Sequence, residues 1–248
     1  TDADYNVAVG YEALTTDTLG SRSVAIGLGA LRTQNFTTAT TSRNTAVGDN
    51  AGYSVTTGVN NTLIGALAGD ALTNSVLNTA VGYQALTSAT TADLNTAIGA
   101  NALSTNILSD RNVALGYNSL ATHNLASNGD AYNTALGYSA GFAVTTGVQN
   151  TLIGSFAGDA LTDADYNLAV GQGAVGSDTL GSRSTGLGYG TLSTQNFTTA
   201  TDTYNTAVGY EAGVAVTTGK KNTIIGGLAG HALTTGLTNV VVGAQALS

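Results

Sequence analysis

Residues 78–82 read Asn-Thr-Ala-Val-Gly, and near copies of this five-residue motif recur along the whole 248-residue chain. There are fourteen copies, and the glycines that close them follow one another at intervals of seventeen, except for three intervals of twenty-one. A period of this regularity predicts a repeat architecture in which each unit stacks on its neighbours. The closing glycines are Gly10, Gly27, Gly48, Gly65, Gly82, Gly99, Gly116, Gly137, Gly154, Gly171, Gly188, Gly209, Gly226 and Gly243.

Strand alternation divides the motif into two faces. The residue before each closing glycine is Val, Ile or Leu, and the residue three before it is Thr, Val or Leu. These two positions share one strand parity and therefore one face. We predict that this face points into the coil and that Ile26, Val47 and Ile98 belong to the core.

The opposite face carries small and amide side chains. The residue two before the glycine is mostly Ala, and the residue four before it is Asn in twelve copies and Ser in two. Ala and Gly permit the close approach of another backbone or of a second chain on this face. Stacked amides can hydrogen-bond along a stack, which predicts a ladder that includes Asn44, Asn78 and Asn95.

The closing glycine is predicted to form a corner. An apolar pair such as Ala85 and Leu86 usually follows it, and then a polar run, which predicts a second short strand and a turn. In three copies a bulky residue replaces the motif Ala while Gly replaces the second residue of the pair, which predicts compensated packing in one shared interface. These pairs are Leu63 with Gly69, Leu152 with Gly158, and Ile224 with Gly230. The glycines that we expect to be structural include Gly27, Gly48, Gly65, Gly82, Gly99 and Gly116.

These features predict an all-β fold: a parallel β-solenoid, or β-roll, of fourteen coils, with a coil length of seventeen and three longer coils of twenty-one. We expect one repeat domain over residues 1–248, forming a segment of a longer fibrous chain. A helix is excluded for the apolar pairs because Gly or Thr interrupts every stretch before about 12 residues.

The composition restricts the range of partners. Only 9% of the residues are charged, against about 25% in typical soluble domains. The net charge of −8 and the lack of a basic stripe argue against nucleic acid and against anionic membranes. There is no apolar run of about 20 residues, so we expect no membrane contact from this segment.

Residues 23–27 read Ser-Val-Ala-Ile-Gly, which resembles the repeat of YadA-like head domains in trimeric autotransporter adhesins. Similar repeats occur in tail fibres of bacteriophages. The resemblance covers all fourteen copies, although the coils here are longer than those of the adhesin heads. It implies a left-handed roll, a homotrimer with the Ala/Gly face at its centre, and an extracellular location on a cell surface or a virion appendage.

The sequence offers little catalytic chemistry. A nucleophile needs a base, and we interpret the only two histidines, His123 and His231, as surface residues. Paired carboxylates suit glycoside hydrolysis, but Asp163 and Asp165 lie on a predicted solvated turn. We therefore expect no enzyme, no metal site and no cofactor.

The three longer coils carry extra loop residues within 32–43, 121–132 and 193–204. Loops bind ligands more often than scaffold does, and an aromatic residue beside Gln and Asn suits a glycan. The alternative is that the phenylalanines cover the interior of the coil. The candidate receptor or glycan contacts are Gln34, Asn35, Phe36, His123, Asn124, Gln195, Asn196 and Phe197.

The predicted function is that of a structural and adhesive segment of an extracellular fibre, either a bacterial surface adhesin or a bacteriophage tail fibre. Its partners would be copies of itself and a host-surface or matrix receptor, including a glycan. A free-standing ice-binding or glycan-binding solenoid is the alternative, because Thr is abundant. Ice binding requires an outward rank of Thr, whereas the regular Thr lies on the face that we predict to point inward. A polysaccharide-degrading spike is a third hypothesis, for which the carboxylates are few and irregular.

Overall fold

A computed structural model describes residues 3–248, which form β-strands and turns without any helix. Two compact units are present. The first contains residues 3–118 and 124–131, and the second contains residues 119–123 and 132–248. Within the described residues, no helix is long and apolar enough to cross a membrane. The prediction of a single repeat domain over the whole chain stays a prediction.

Each unit is built around seven three-residue strands, one for each copy of the motif. Those of the first unit are β1 (Val7–Val9), β3 (Val24–Ile26), β5 (Thr45–Val47), β6 (Thr62–Ile64), β7 (Thr79–Val81), β8 (Thr96–Ile98) and β10 (Val113–Leu115). Those of the second unit are β12 (Thr134–Leu136), β13 (Thr151–Ile153), β14 (Leu168–Val170), β16 (Thr185–Leu187), β18 (Thr206–Val208), β19 (Thr223–Ile225) and β20 (Val240–Val242).

Two-residue strands pair where a long coil adjoins its neighbour. The first unit has two such pairs and the second unit has one. They are β2 (Gly20–Ser21) with β4 (Thr40–Thr41), β9 (Ser109–Asp110) with β11 (Gly129–Asp130), and β15 (Gly181–Ser182) with β17 (Thr201–Asp202).

Successive three-residue strands pair in parallel with their motifs aligned. Thr62 lies opposite Thr79, and Leu63 lies opposite Ala80, so each residue faces its equivalent in the next copy of the repeat. The same register recurs in the second unit. The chain is therefore a parallel β-solenoid of about fourteen turns, as the period predicts.

The closing glycines form the corners. Gly48 has a φ of +145°, and a Cβ atom placed there would lie 2.5 Å from the carbonyl oxygen of Gly65 in the next coil. Both the backbone conformation and the close approach of the coils therefore require glycine. This confirms the structural role predicted for the corner glycines.

The segment after each corner is a turn, so the predicted second strand is wrong. Gln84 and Leu86 both have positive φ values, +54° and +56°, which break an extended conformation. The adjacent residues Ala85 and Leu86 are both fully buried, whereas neighbours in a strand point to opposite faces. The turn thus directs two consecutive side chains into the coil.

The predicted orientation of the strands is also wrong. Ala80 and Asn78 of the same motif are fully buried, whereas Thr79 and Val81 are partly exposed to solvent. The Ala and Asn positions therefore line the interior of the coil, and the β-branched positions face outward. The two sets of residues do share faces as predicted, but inside and outside are exchanged.

The residues Ile26, Val47 and Ile98, predicted as core, consequently lie on the outside, and Ile26 is 38% exposed. The physical reason is the small cross-section of the coil. Its interior is already filled by the strand Ala and by Leu or Val side chains that enter from the turn. The largest fully buried side chains include Leu31, Leu63, Leu72, Leu86, Leu103, Leu120, Leu152, Leu161, Leu192 and Ile224.

The Asn ladder is present, but it lies inside the coil. The backbone N–H of Asn61 donates to Asn44 Oδ1 at 2.9 Å, and Asn61 Nδ2 donates to the carbonyl of Ser75 at 2.8 Å. Asn78 and Asn95 repeat the first of these bonds at 3.0 Å. Each amide thus satisfies backbone groups that would otherwise be buried without a partner.

The compensated packing is confirmed, and its place is the core. A Cβ atom on Gly52 would lie 2.6 Å from Leu63 Cδ1, and a Cβ atom on Gly69 would lie 2.8 Å from Leu63 Cδ2. Leu63 therefore fills the space that the glycines leave in its own coil and in the one before it. Leu152 and Ile224 contact their glycines in the same way.

Candidate binding surfaces

The predicted contact residues of the first long loop are mostly buried. Gln34 is inaccessible to solvent, and Phe36 is nearly so. Gln34 Nε2 donates to Asp17 Oδ2 at 2.6 Å, and Gln34 Oε1 accepts from Asn44 Nδ2 at 2.8 Å. Of the three predicted contacts, only Asn35 is exposed. The extra residues therefore fill the wider coil with a polar network capped by an aromatic ring.

The second unit repeats this network. Gln195 Nε2 donates to Asp178 Oδ2 at 2.5 Å and to Ser184 Oγ at 2.8 Å, and Phe197 is buried. Asn196 is exposed, like its counterpart in the first unit. The interpretation of Gln34, Phe36, Gln195 and Phe197 as receptor contacts is thus wrong, because buried side chains cannot reach a ligand.

His123 occupies the same repeat position as the two glutamines, at an equal distance in sequence from its corner glycine. It is fully buried, and neither ring nitrogen has a hydrogen-bond partner. Desolvation lowers the pKa of His123 to about 4, and the backbone of Thr145 acts in the opposite direction. The prediction of a surface histidine is wrong for His123 and correct for His231, which is exposed. Asn124 is partly exposed.

The carboxylates singled out in the sequence serve as acceptors in turns. Asp163 Oδ1 accepts from Thr146 Oγ1 at 2.5 Å, and Asp165 Oδ1 accepts from the backbone N–H of Val148 at 2.8 Å. Burial, and to a lesser degree the charge of Asp163, raises the pKa of Asp165. Among residues 3–248, no three or more His, Cys, Asp or Glu side chains are grouped so as to hold a metal ion.

The strands present a continuous uncharged surface in each unit. We call it the outer face: the residues one and three before each corner glycine. All of them are Thr, Val, Ile or Leu, and several are well exposed, such as Leu136 at 44%. The threonines of the outer face are Thr45, Thr62, Thr79, Thr96, Thr134, Thr151, Thr185, Thr206 and Thr223.

One signal in the sequence could have identified the outer face. In the three copies in which Leu or Ile replaces the motif Ala, the second residue of the apolar pair after the corner is Gly: Leu63 with Gly69, Leu152 with Gly158, and Ile224 with Gly230. Such an exchange of volume is typical of a closed interior, where added bulk must be balanced. The outer face shows no comparable exchange.

The outer face is bordered by a charged and aromatic edge. We call it the edge column: the residue five before each corner glycine. Five of the chain's seven cations lie in this column, as do four tyrosines. The guanidinium of Arg183 lies 4.6 Å from the ring centroid of Tyr166, and its Nε donates to Asp202 at 2.9 Å. The hydrogen bond to Asp202 raises the pKa of Arg183.

A shallow pocket of about 440 Å³ lies along the edge column of the second unit. Three successive coils contribute to it. Its lining residues are Asp202, Tyr204, Lys220, Lys221, Leu237 and Thr238. No family model, no curated protein and no solved structure matches this chain.

Proposed function

We propose that this chain is a structural and adhesive segment of an extracellular fibre, and that copies of it associate through the outer face into a homotrimer. The observation that carries the proposal is the outer face itself, which is uncharged at all of its positions and lies open to solvent in the single chain. The number of chains and the extracellular setting come from the resemblance to adhesin heads and phage fibres.

The physical argument begins with the exposed strands. When one face of a sheet is in water, it normally carries polar and charged residues. Here that face carries pairs such as Thr62 with Ile64 and Thr79 with Val81 in successive coils. A contiguous exposed apolar surface marks an interaction site, and burying it stabilises an assembly by about 25 cal/mol per Å².

The proposed interface differs from the one that the resemblance to adhesin heads implies. The Ala/Gly face cannot contact a second chain, because it lines the interior of each coil. We place the interface on the outer face instead. The outer face repeats with every coil, so identical chains aligned in register present identical surfaces to one another.

The test is the mass of outer-face variants by analytical ultracentrifugation. Ile64→Lys together with Val81→Lys places two cations on adjacent strands of the outer face, where burial would leave them unpaired. We expect this variant to dissociate, whereas Thr57→Lys, an exposed loop position, should leave the assembly intact. An unchanged mass for the double variant would contradict the proposal.

Ice binding is a second candidate, because the structure removes the objection raised from the sequence. Nine of the fourteen three-residue strands direct a Thr outward, and parallel pairing places these residues at regular spacing. Burial of the outer face in a trimer would exclude this role. If the chain is monomeric, we expect thermal hysteresis that is lost in Thr62→Lys with Thr79→Lys; a monomer without hysteresis would reject the candidate.

A further inference from the structure

The only two lysines of the chain lie side by side in the pocket of the second unit. Lys220 is partly exposed and Lys221 is exposed. Neither forms an ion pair within the described residues. In a chain with a net charge of −8, this pair is a local concentration of unneutralised positive charge.

Internal repeats show that the fold does not require these lysines. Residues 1–73 closely match residues 162–234, and the positions that correspond to the lysines hold Val59 and Asn60. In the coil that ends at Gly154, also in the second unit, the same positions hold Val148 and Gln149. The backbone conformation at the second of these positions is shared with the first copy, since Asn60 and Lys221 both have a φ of +59°. The lysines are therefore an addition to a scaffold that folds with neutral residues in their place.

The remaining walls of the pocket also differ from the first copy. Tyr204 is 52% exposed and Leu237 is 60% exposed, so both offer apolar surface to a ligand. The tyrosine hydroxyl donates to Asp202 Oδ2 at 3.3 Å, so these two side chains lie together at the pocket edge. The corresponding position in the first copy is Arg43, which offers no aromatic ring.

We propose that this pocket binds a carboxylated sugar residue of an acidic polysaccharide. The two lysines supply charge-assisted hydrogen bonds to the carboxylate. Tyr204 and Leu237 pack against the apolar face of the sugar ring. Asp202 accepts from a sugar hydroxyl, and its bond to Arg183 at 2.9 Å offsets its repulsion of the ligand. The same Asp202 disfavours a doubly charged phosphate, because the repulsion grows with the charge of the ligand.

The site lies in one chain, so it goes beyond the proposed association of copies, and the solution mass tests that association separately. The probes are trigalacturonic acid, an oligosaccharide of glucuronic acid and a sialylated lactose, with trigalacturonic acid methyl ester as the neutral counterpart. Binding of each probe to the full chain is measured by isothermal titration calorimetry.

The matched variant is Lys220→Val with Lys221→Asn, which installs the residues of the first copy. A second variant adds Val59→Lys and Asn60→Lys to these two substitutions. It has the net charge of the wild type, but its two lysines lie at the corresponding position of the first copy, where the aromatic ring is absent. Circular dichroism confirms that each variant is folded.

We expect at least one acidic probe to bind, the methyl ester to bind at least about tenfold more weakly, and the Lys220→Val, Lys221→Asn variant to lose about tenfold in affinity for the acid. The variant with restored net charge should still bind the acidic probe weakly. Three results would overturn the proposal: no binding of any acidic probe, equal binding of acid and ester, or full recovery in the variant with restored net charge.

Discussion

His123 makes the stability of the second unit depend on pH. Its imidazole is buried without a hydrogen-bond partner, and desolvation lowers its pKa from 6.5 to about 4. The folded state therefore binds this proton only below about pH 4, while the unfolded chain binds it below about pH 6.5. Stability is highest above pH 6.5 and falls as the pH is lowered towards 4.

The size of the effect follows from the two pKa values. The full difference between 6.5 and about 4 corresponds to about 3 kcal/mol. Between pH 7.5 and pH 5 the expected loss is about 2 kcal/mol, because the unfolded histidine is almost fully protonated at pH 5 and the folded one is mostly neutral.

The assay is urea unfolding at fixed protein concentration and at pH 7.5, 6, 5 and 4, with His123→Gln as the matched variant. This variant carries the residue that the other two long coils have at the same position, Gln34 and Gln195. The carboxylates with raised pKa values, such as Asp165, affect both proteins equally and cancel in the difference. We expect the stability of the wild type to fall by about 2 kcal/mol relative to the variant between pH 7.5 and 5. Parallel pH profiles would refute the reasoning.

Three further substitutions test the packing of the coils by urea unfolding. Gly48→Ala should lower the free energy of unfolding by about 3 kcal/mol, because its Cβ would meet a carbonyl oxygen at 2.5 Å and its φ is +145°. Gly129→Ala has no positive φ, and its Cβ would make only ordinary van der Waals contacts at 3.7 Å and 3.9 Å, so it should cost less than about 0.5 kcal/mol. Equal costs would contradict the close approach of the corners. Leu63→Ala should lower the free energy of unfolding by about 2–5 kcal/mol. Adding Gly69→Leu to this variant should restore at least about 1 kcal/mol, because it recreates the combination of Ala in the strand and Leu in the turn that most coils have. A purely additive result would contradict the idea that the two side chains share one volume. Asn78→Ala should cost about 1–3 kcal/mol, since it leaves buried backbone groups without partners, and a neutral effect would contradict the interior ladder.

The sequence predicts the period, the parallel pairing and the corners, because these depend on local features that repeat. The constant spacing of the motif sets the register, and the positive φ and tight contact at Gly48 can be met only by glycine. The turns were harder to predict. Leu86 takes a positive φ that its side chain disfavours, and only the tertiary packing of a buried leucine compensates for it.

The orientation of the faces could not be derived from alternation alone. Alternation shows that Thr79 and Val81 share a face, and hydrophobicity then favours the interior for them. The reverse holds because the coil is too narrow for two β-branched rows and because Asn78 is needed inside to satisfy backbone groups. An apolar strand face that is exposed to solvent has the same sequence pattern as one that is buried in a core.

The candidate sites were missed for a related reason. The long loops of a solenoid suggest ligand contacts, yet Gln34 and His123 occupy the same repeat position and point into the coil. The two lysines carry no motif, and although they are the only lysines of the chain, they are recognised as an addition to the scaffold when residues 220–221 are compared with the corresponding residues of the other copies.

Association through the outer face is tested most directly by the mass of the unmodified chain in solution, measured by multi-angle light scattering during size-exclusion chromatography. The proposal predicts a single species with a mass near three times the 24.6 kDa of one chain. A folded species with a mass near 24.6 kDa at micromolar concentration would contradict it and would favour a free-standing solenoid whose outer face is in contact with water.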